Sequence, residues 1–196
     1  MDKERLLSQL AFIAEIDRLK GVYRQTYLLD GSRKENDAEH SWHLAIMAVL
    51  LAEYANKPGI DIFKVVKMVL IHDLVEIDAG DTFCYGPFDP GEKSRRENEA
   101  AARLFSLLPA DQKEEFNALW IEFEARDTAE ARFAASLDRL QPLYHNYVTR
   151  GKSWLEHGVS KEKVLERNEP IKEGSVYMWD FARDLIEDAF KKGYLL

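Results

Sequence analysis

Imidazole and carboxylate side chains that could hold a metal ion recur at separated points along the chain. The four clusters are Asn36-Asp-Ala-Glu-His-Ser-Trp-His43, Ile71-His-Asp-Leu-Val-Glu76, Gly80-Asp81 and Leu137-Asp-Arg139. Because neighbouring residues on a helix point roughly 100° apart, the pair His72-Asp73 at a helix end could place an imidazole and a carboxylate on one ion. His40 from an earlier helix and Asp138 from a later one would complete two nitrogen and two oxygen ligands.

This mixed ligand set predicts one divalent metal cation as the cofactor. Nitrogen and oxygen ligands together suit Mn, Fe, Co, Zn or Mg better than a soft metal. They do not distinguish which of these is the native metal. Four protein ligands around an octahedral ion leave positions for water and a substrate oxygen, which is typical of a catalytic site. His43 could serve a second ion, but the chain has only 5 histidines. We therefore interpret His43, His145 and His157 as packing or surface residues.

Helical periodicity predicts the elements that must position these side chains. Asp37 is expected to N-cap a second helix, since its carboxylate can accept from the free amides of the first turn. Asp61 is expected to cap a third helix, which carries His72 and Asp73 near its C-terminal end. The predicted buried stripes are Leu6, Leu10, Ile13 and Ile16 in the first helix, Ala38, Trp42, Ala45, Ile46 and Val49 in the second, and Phe63, Val66, Leu70 and Leu74 in the third.

A later helix that begins at Thr128 is predicted to place Asp138 beside an apolar stripe. An unpaired carboxylate is costly to bury, so Asp138 requires a partner there. The core positions of this helix are Phe133, Leu137, Leu140 and Leu143. The remaining stretches predict loops over Asp30 to Asn36 and Asp78 to Gly91, and helices over Ser94 to Leu107, Pro109 to Arg126 and Gly174 to Lys192.

Composition favours one all-α domain over residues 1–196, acting on a small molecule. Hydrophobic residues make up 46% of the chain, which is enough for one core. The net charge of -8 argues against a nucleic-acid polymer as partner. The longest apolar run, Leu44 to Ala52, is far short of the roughly 20 residues of a membrane span. With no apolar signal core at the N-terminus and a single cysteine, Cys84, we expect a cytoplasmic protein.

The order His40, then His72-Asp73, then Asp138 on successive helices resembles the HD-domain metal phosphohydrolases. Companion motifs extend the resemblance to the branch that contains the bacterial 5'-deoxynucleotidases and their eukaryotic HD-domain relatives. These motifs are Leu19-Lys-Gly-Val-Tyr-Arg24, Ala38-Glu-His-Ser41, His72-Asp-Leu-Val-Glu76 with Gly80-Asp81, and Glu130-Ala-Arg-Phe133 before Leu137-Asp138. The resemblance covers about residues 10–150. It implies a single-domain HD-domain helical bundle with the C-terminal helices packed on it or at a dimer interface.

The resemblance also implies an activity and roles for individual residues. The activity is that of a metal-dependent 5'-nucleotidase that hydrolyses (deoxy)nucleoside 5'-monophosphates with a metal-activated water. Arg24 would bind the substrate phosphate, for which its planar fork of donors is suited. Glu76, one helical turn after His72, would act in acid-base catalysis, and Asp81 would contact substrate near the metal and assist catalysis. Gln25 stands where bacterial members carry an aromatic residue, which leaves the choice between deoxyribose and ribose open. The base preference is open as well.

Several alternatives stay open at this stage. An HD-type phosphodiesterase has the same fold, as does a nucleoside triphosphohydrolase, which needs basic residues around a polyphosphate. A metal-stabilised interaction protein without turnover would be expected to lack Glu76, Asp81 or Arg24, and a diiron oxygenase would need further histidines. The basic residues near the ligands in sequence are Arg24, Arg33, Lys34, Lys93, Arg95 and Arg96.

The last helix predicts a homodimer. It carries more apolar side chains than one face of a surface helix usually needs, and such a patch favours a partner. A helix that folds back onto its own core is the alternative. The residues concerned are Val176, Trp179, Phe181, Leu185 and Phe190.

Overall fold

Helices make up most of the computed structural model, which describes residues 3–87 and 89–196. The predicted all-α class is confirmed. In these ranges the α-helices are α1 (Lys3–Ile16), α2 (Asp37–Leu51), α3 (Ile62–Ile71), α4 (Glu76–Ala79), α5 (Pro90–Phe105), α6 (Ala110–Ala125), α7 (Ala129–Val148), α8 (Lys152–Glu156), α9 (Lys161–Asn168), α10 (Ile171–Gly174) and α11 (Val176–Lys191). Short 3₁₀ segments follow α1, α2 and α3, and the two strands are β1 (Tyr23–Tyr27) and β2 (Lys34–Asn36).

The antiparallel hairpin of β1 and β2 was not anticipated from the sequence. Tyr23 lies opposite Asn36 and Tyr27 opposite Lys34, with an irregularity in register between these pairs. The last residues of the predicted loop before α2 are therefore a strand. The hairpin places Arg24 on β1, beside the first turn of α2.

The first turn of α2 is held by a capping box. Asn36 Oδ1 accepts from the Glu39 N–H at 2.9 Å, and the Glu39 carboxylate accepts from the Asn36 N–H at 3.2 Å. The prediction that Asp37 caps α2 is wrong by one residue, because Asn36 takes that role. Asp37 is instead completely buried and belongs to the site. The predicted caps Asp61 and Thr128 are confirmed.

The predicted buried stripes of α1 to α3 are largely wrong in phase. In α2, Trp42 is 63% exposed and Val49 is 61% exposed. The inward face of α2 carries polar residues, so the apolar periodicity of this helix marks its opposite side. The buried residues of α2 are Asp37, His40, Ser41, Leu44 and Ala48. The other predicted core residues that lie exposed are Leu6, Leu10 and Ile13 in α1, Ile46 in α2, and Phe63 and Leu70 in α3.

The central element is α7, which packs against α2, α3, α6, α10 and α11. Its predicted core positions Phe133, Leu137, Leu140 and Leu143 are all buried, which confirms that stripe. Pro142 lies inside α7 and lacks the N–H that would otherwise bond to the carbonyl four residues earlier. Across residues 3–87 and 89–196, none of the helices combines the length and apolarity that a bilayer span requires.

Candidate metal centre and active site

Elements that are distant in sequence bring the predicted site residues to one place. β1 carries Arg24, α2 carries His40, the 3₁₀ segment after α3 carries His72 and Asp73, and α7 carries Asp138. Since α2 and α3 pack on each other and on α7, their inward faces meet. All four residues that the sequence singled out as ligands lie together.

The distances among these four side chains are those of a ligand cluster. Ligand atoms of His40, His72 and Asp73 lie within 4.8 Å of one another. Asp138 Oδ1 is 3.1 Å from His40 Nε2 and 3.7 Å from His72 Nε2. Asp73 Oδ1 is 3.1 Å from His72 Nε2. Ligand atoms that share one ion at bonds of roughly 2 Å adopt such separations.

The hydrogen bonds of His72 show that the cluster suits a cation. Its Nδ1 donates to the Val69 carbonyl at 2.9 Å, so Nε2 faces the carboxylates. Nε2 is buried and has no hydrogen-bond partner of adequate geometry among the described residues. Burial lowers the pKa of His72, but the charges of Asp73 and Asp138 outweigh it and raise the pKa to about 9. The carboxylates thus stabilise a positive charge at this point.

Three carboxyl groups crowd together on the side of the cluster next to α4. Ligand oxygens of Asp37, Asp73 and Glu76 lie within 4.8 Å of one another. Burial, together with the charges of Asp73 and Asp37, raises the pKa of Glu76 well above its usual range. Burial and the charge of Asp73 raise the pKa of Asp37 to about 7. These neighbours therefore favour the protonated form of Glu76, the form that can donate a proton.

Arg24 lies between two of these carboxylates. Its Nη1 donates to Asp73 Oδ2 at 2.8 Å and to Asp37 Oδ1 at 3.1 Å. Its Nε is buried and has no hydrogen-bond partner among the described residues. The aspartates fix the guanidinium, while part of its fork is left for another acceptor.

The family model of the HD domain matches residues 16–179 of the chain. The chain belongs to the HD domain family. The 5'-deoxynucleotidase HDDC2 of Bos taurus is 34% identical over 68% of this chain, and the match spans 64% of that relative's length. The 5'-deoxynucleotidase hdd1 of Schizosaccharomyces pombe is 30% identical over 73% of each chain.

Solved structures share this HD-domain fold. The crystal structure of a predicted metal-dependent phosphohydrolase from Magnetospirillum magnetotacticum MS-1 is 55% identical, covers 98% of this chain and 96% of its own, and has a TM-score of 0.93. An HD-domain phosphohydrolase from Listeria innocua is 16% identical over 94% of this chain and 90% of its own, with a TM-score of 0.65, and shows the fold alone.

A cavity of about 160 Å³ opens beside the cluster of this HD domain, and Asp81 lies in its wall with Glu76 and Arg24. Of the basic residues expected near the ligands, Arg24 and Lys93 line the cavity. Arg33 instead pairs with Glu39 at the surface, and Arg95 with Glu99. The cavity also has basic and aromatic lining residues that sequence reasoning missed, namely Arg126, Arg139 and Arg167 together with Phe83, Tyr85 and Trp154.

A buried polar network behind His40 was also missed. Gln141 belongs to this network and lies on α7, one turn after Asp138. The i, i+3 spacing of these two residues was the sequence signal that could have indicated that they share a helix face. Glu35 is 1% exposed and His145 is 2% exposed. Burial raises the pKa of Glu35 to about 7 and lowers that of His145 to about 4. Ligand atoms of Glu35, His43 and His145 lie within 4.8 Å of one another, so this group is a second candidate for a metal site by distance.

Proposed function

We propose that the chain is a metal-dependent phosphohydrolase that releases phosphate from nucleoside 5'-monophosphates, with deoxynucleotides preferred. The observation that carries this proposal is a single buried arrangement. It combines the cluster of His40, His72, Asp73 and Asp138 with Glu76, whose pKa is raised by burial and by neighbouring carboxylates, beside one cavity. The relatives named 5'-deoxynucleotidase support the substrate class.

The chemistry divides between the cation and the protein. A divalent cation on the four ligands would polarise a phosphoryl oxygen and make water a better nucleophile at neutral pH. Arg24, with its unpaired Nε, would hold the phosphate while Asp37 and Asp73 keep its guanidinium in place. Glu76 would give its proton to the leaving 5'-oxygen as the bond from that oxygen to phosphorus breaks. Asp81, in the cavity wall, would contact the substrate.

Three further arginines in the cavity wall support an anionic substrate. These arginines are Arg126, Arg139 and Arg167. Among the described residues, none of the three has an ion-pair partner within 4.0 Å. Burial, together with repulsion from Arg167 and Arg126, lowers the pKa of Arg139 to about 10. A bound anion would relieve that repulsion.

Hydrolysis assays over a substrate panel test the proposal, with the products separated by chromatography, because a triphosphohydrolase would release tripolyphosphate and a diesterase would release p-nitrophenol rather than phosphate. The panel contains deoxyribonucleoside and ribonucleoside 5'-monophosphates, a deoxynucleoside triphosphate and bis-p-nitrophenyl phosphate, each with Mn, Co, Mg, Zn or Fe. We expect turnover of monophosphates, fastest for the deoxy forms, and none in His72→Ala. Turnover of the triphosphate alone would instead assign a nucleoside triphosphohydrolase, and turnover of the diester alone would assign a phosphodiesterase. No turnover with any combination of substrate and metal would favour a metal-stabilised interaction protein.

We further propose that the protein is cytoplasmic and forms a homodimer, with a nucleotide as its small-molecule partner. The low cysteine content of the chain supports the cytoplasmic location. The exposed apolar side chains of α11 support the dimer, since Val176 is 54%, Phe181 48% and Phe190 46% exposed.

A further inference from the structure

The hydrogen bonds around His145 have only one consistent assignment. Its Nδ1 lies 2.9 Å from the Tyr27 carbonyl oxygen, which can only accept, so Nδ1 carries the proton. His145 is neutral because burial disfavours its charged form. Its Nε2 must therefore be an acceptor.

This assignment fixes the orientation of the Gln141 amide. The Gln141 Nε2 atom is 3.1 Å from His145 Nε2 and 2.7 Å from Glu35 Oε1. Both of these atoms accept, so they require the NH2 group rather than the carbonyl of the amide. The Gln141 carbonyl oxygen consequently faces His40, at 3.1 Å from its Nδ1.

We propose that Gln141 is a positioning residue that holds His40 in its metal-binding form. A histidine that binds a cation through Nε2 carries its proton on Nδ1, and that proton needs an acceptor when it is buried. His40 is completely buried, and Gln141 Oε1 provides the acceptor. The relay runs from Tyr27 on β1 through His145 and Gln141 to His40, so the strand that carries Arg24 also sets the orientation of a ligand. This inference rests on the proposed metal site.

The relay also explains why the group of Glu35, His43 and His145 does not serve as a second metal site. The NH2 group of Gln141 lies among all three, at 2.7 Å from Glu35 Oε1, 3.1 Å from His145 Nε2 and 3.4 Å from His43 Nδ1. A cation at that point would meet two N–H donors. Turning the amide over would present its NH2 group to the Nδ1 proton of a metal-bound His40.

Titration of the metal-free protein with Co²⁺ alone, followed by visible absorption, tests the proposal without an activity assay. Gln141→Met removes the acceptor of the His40 Nδ1 proton and leaves only Glu35 Oε2, which is 3.8 Å away and beyond hydrogen-bonding distance, so we expect a 10- to 100-fold weaker affinity for Co²⁺. In Gln141→Glu, one carboxyl oxygen can accept from His40 while the other, protonated, donates to Glu35 Oε1, so this variant should recover most of that affinity. Ser136→Ala, which removes another buried hydrogen bond of α7 away from the site, should lower the Tm but leave the affinity unchanged.

The outcomes separate this inference from the proposed function. If the parent protein does not bind Co²⁺, the metal site itself is wrong. If the parent binds Co²⁺ and Gln141→Met binds it equally well, the positioning role of Gln141 is overturned. Should Gln141→Met fail to fold, His145→Phe removes one of the two acceptors that orient the amide, and a weaker affinity for Co²⁺ is again expected. An affinity of His145→Phe equal to that of the parent would then overturn the relay.

Discussion

Glu76 shares a buried space with Asp37 and Asp73, and burial with these neighbours favours its protonated form. The substitution Glu76→Gln keeps the shape of the side chain and removes the proton that the acid would donate. We expect kcat to fall by about 10²-fold or more, the usual contribution of a positioned acid, while the metal is retained. Steady-state kinetics and metal analysis of the purified variant measure both quantities.

The control for Glu76→Gln is Glu99→Gln, which changes an exposed residue of α5 paired with Arg95. Parental kcat is expected for this control. If Glu76→Gln also turns over at the parental rate, the acid-base role moves to another carboxyl group, with Asp81 the first to test.

His145 predicts a pH dependence of stability. The folded chain lowers its pKa to about 4, whereas an unfolded histidine titrates near 6.5. Between these values the unfolded chain binds a proton that the folded chain does not, so stability is lost as the pH falls from about 6.5 towards 4, by about 1.4 kcal/mol per pH unit at most. Urea denaturation of the metal-free protein and of His145→Phe, from pH 7.5 to 4.5, measures this. The stability advantage of the parent should shrink with falling pH, and a constant difference would contradict the assignment.

The sequence predicted that His40, His72, Asp73 and Asp138 lie together, because their order along the chain and their residue types resemble those of the HD-domain family. It did not predict that Asp37 belongs to the site. An aspartate at the start of a helix is explained equally well as a cap until its burial is known. Nor did the sequence predict Gln141, since an amide acquires a function only from the neighbours on either side of it. Burial and hydrogen-bond partners are properties of the fold, and no local pattern encodes them.

Among the secondary-structure elements, α2 and α7 show when periodicity succeeds. The inward face of α7 carries the buried apolar residues Phe133, Leu137, Leu140 and Leu143 at helical spacing, so its phase was predicted correctly. The inward face of α2 contains His40 and Asp37, and its most apolar face includes the exposed Trp42. Apolar periodicity locates the interior only where the interior is apolar. The caps Asp61 and Thr128 were predicted because capping depends on residues within one turn.

The connection between α7 and α8 depends on Gly151. Its φ of 73° favours glycine, and a Cβ there would lie 1.7 Å from the Tyr194 carbonyl oxygen. Gly193 has nearly the same φ, 71°, but open space around the Cβ position. We expect Gly193→Ala to cost about 1 kcal/mol from backbone strain alone and Gly151→Ala to cost several-fold more, because the C-terminal residues must move. Chemical denaturation of the two variants measures the difference, and equal losses would contradict this account of the packing.

For the whole molecule, metal binding should stabilise the folded state. A ligand that binds only the folded chain adds about 2.7 kcal/mol at 100 times its Kd, which for a chain of this size raises the Tm by roughly 5–10 °C. Thermal unfolding with EDTA and with excess Mn²⁺ tests this. His72→Ala should show no such rise, and a rise of the same size in that variant would place the ion elsewhere.

The oligomeric state is also a property of the whole molecule. The exposed apolar residues of α11 predict a homodimer, while Met178, Ala182, Ile186 and Ala189 on its other face are buried in the same chain. Light scattering during size-exclusion chromatography at micromolar concentration should give about twice the 22.7 kDa of one chain. A mass near 22.7 kDa would exclude the dimer. Phe181→Glu is the matched variant, because its charge would disfavour a buried contact without touching the core.

Cys84 is the only cysteine of the chain, and it lies exposed among the residues that line the cavity. A thiol-reactive trifluoromethyl tag can therefore be attached at this one position without removing any other cysteine. Since the tag would lie in the wall of the same cavity as His72 and Asp73, the unpaired electrons of Mn²⁺ would broaden its fluorine resonance, and diamagnetic Mg²⁺ would not. The wild-type chain thus offers its own spectroscopic position for following occupancy of the centre during turnover.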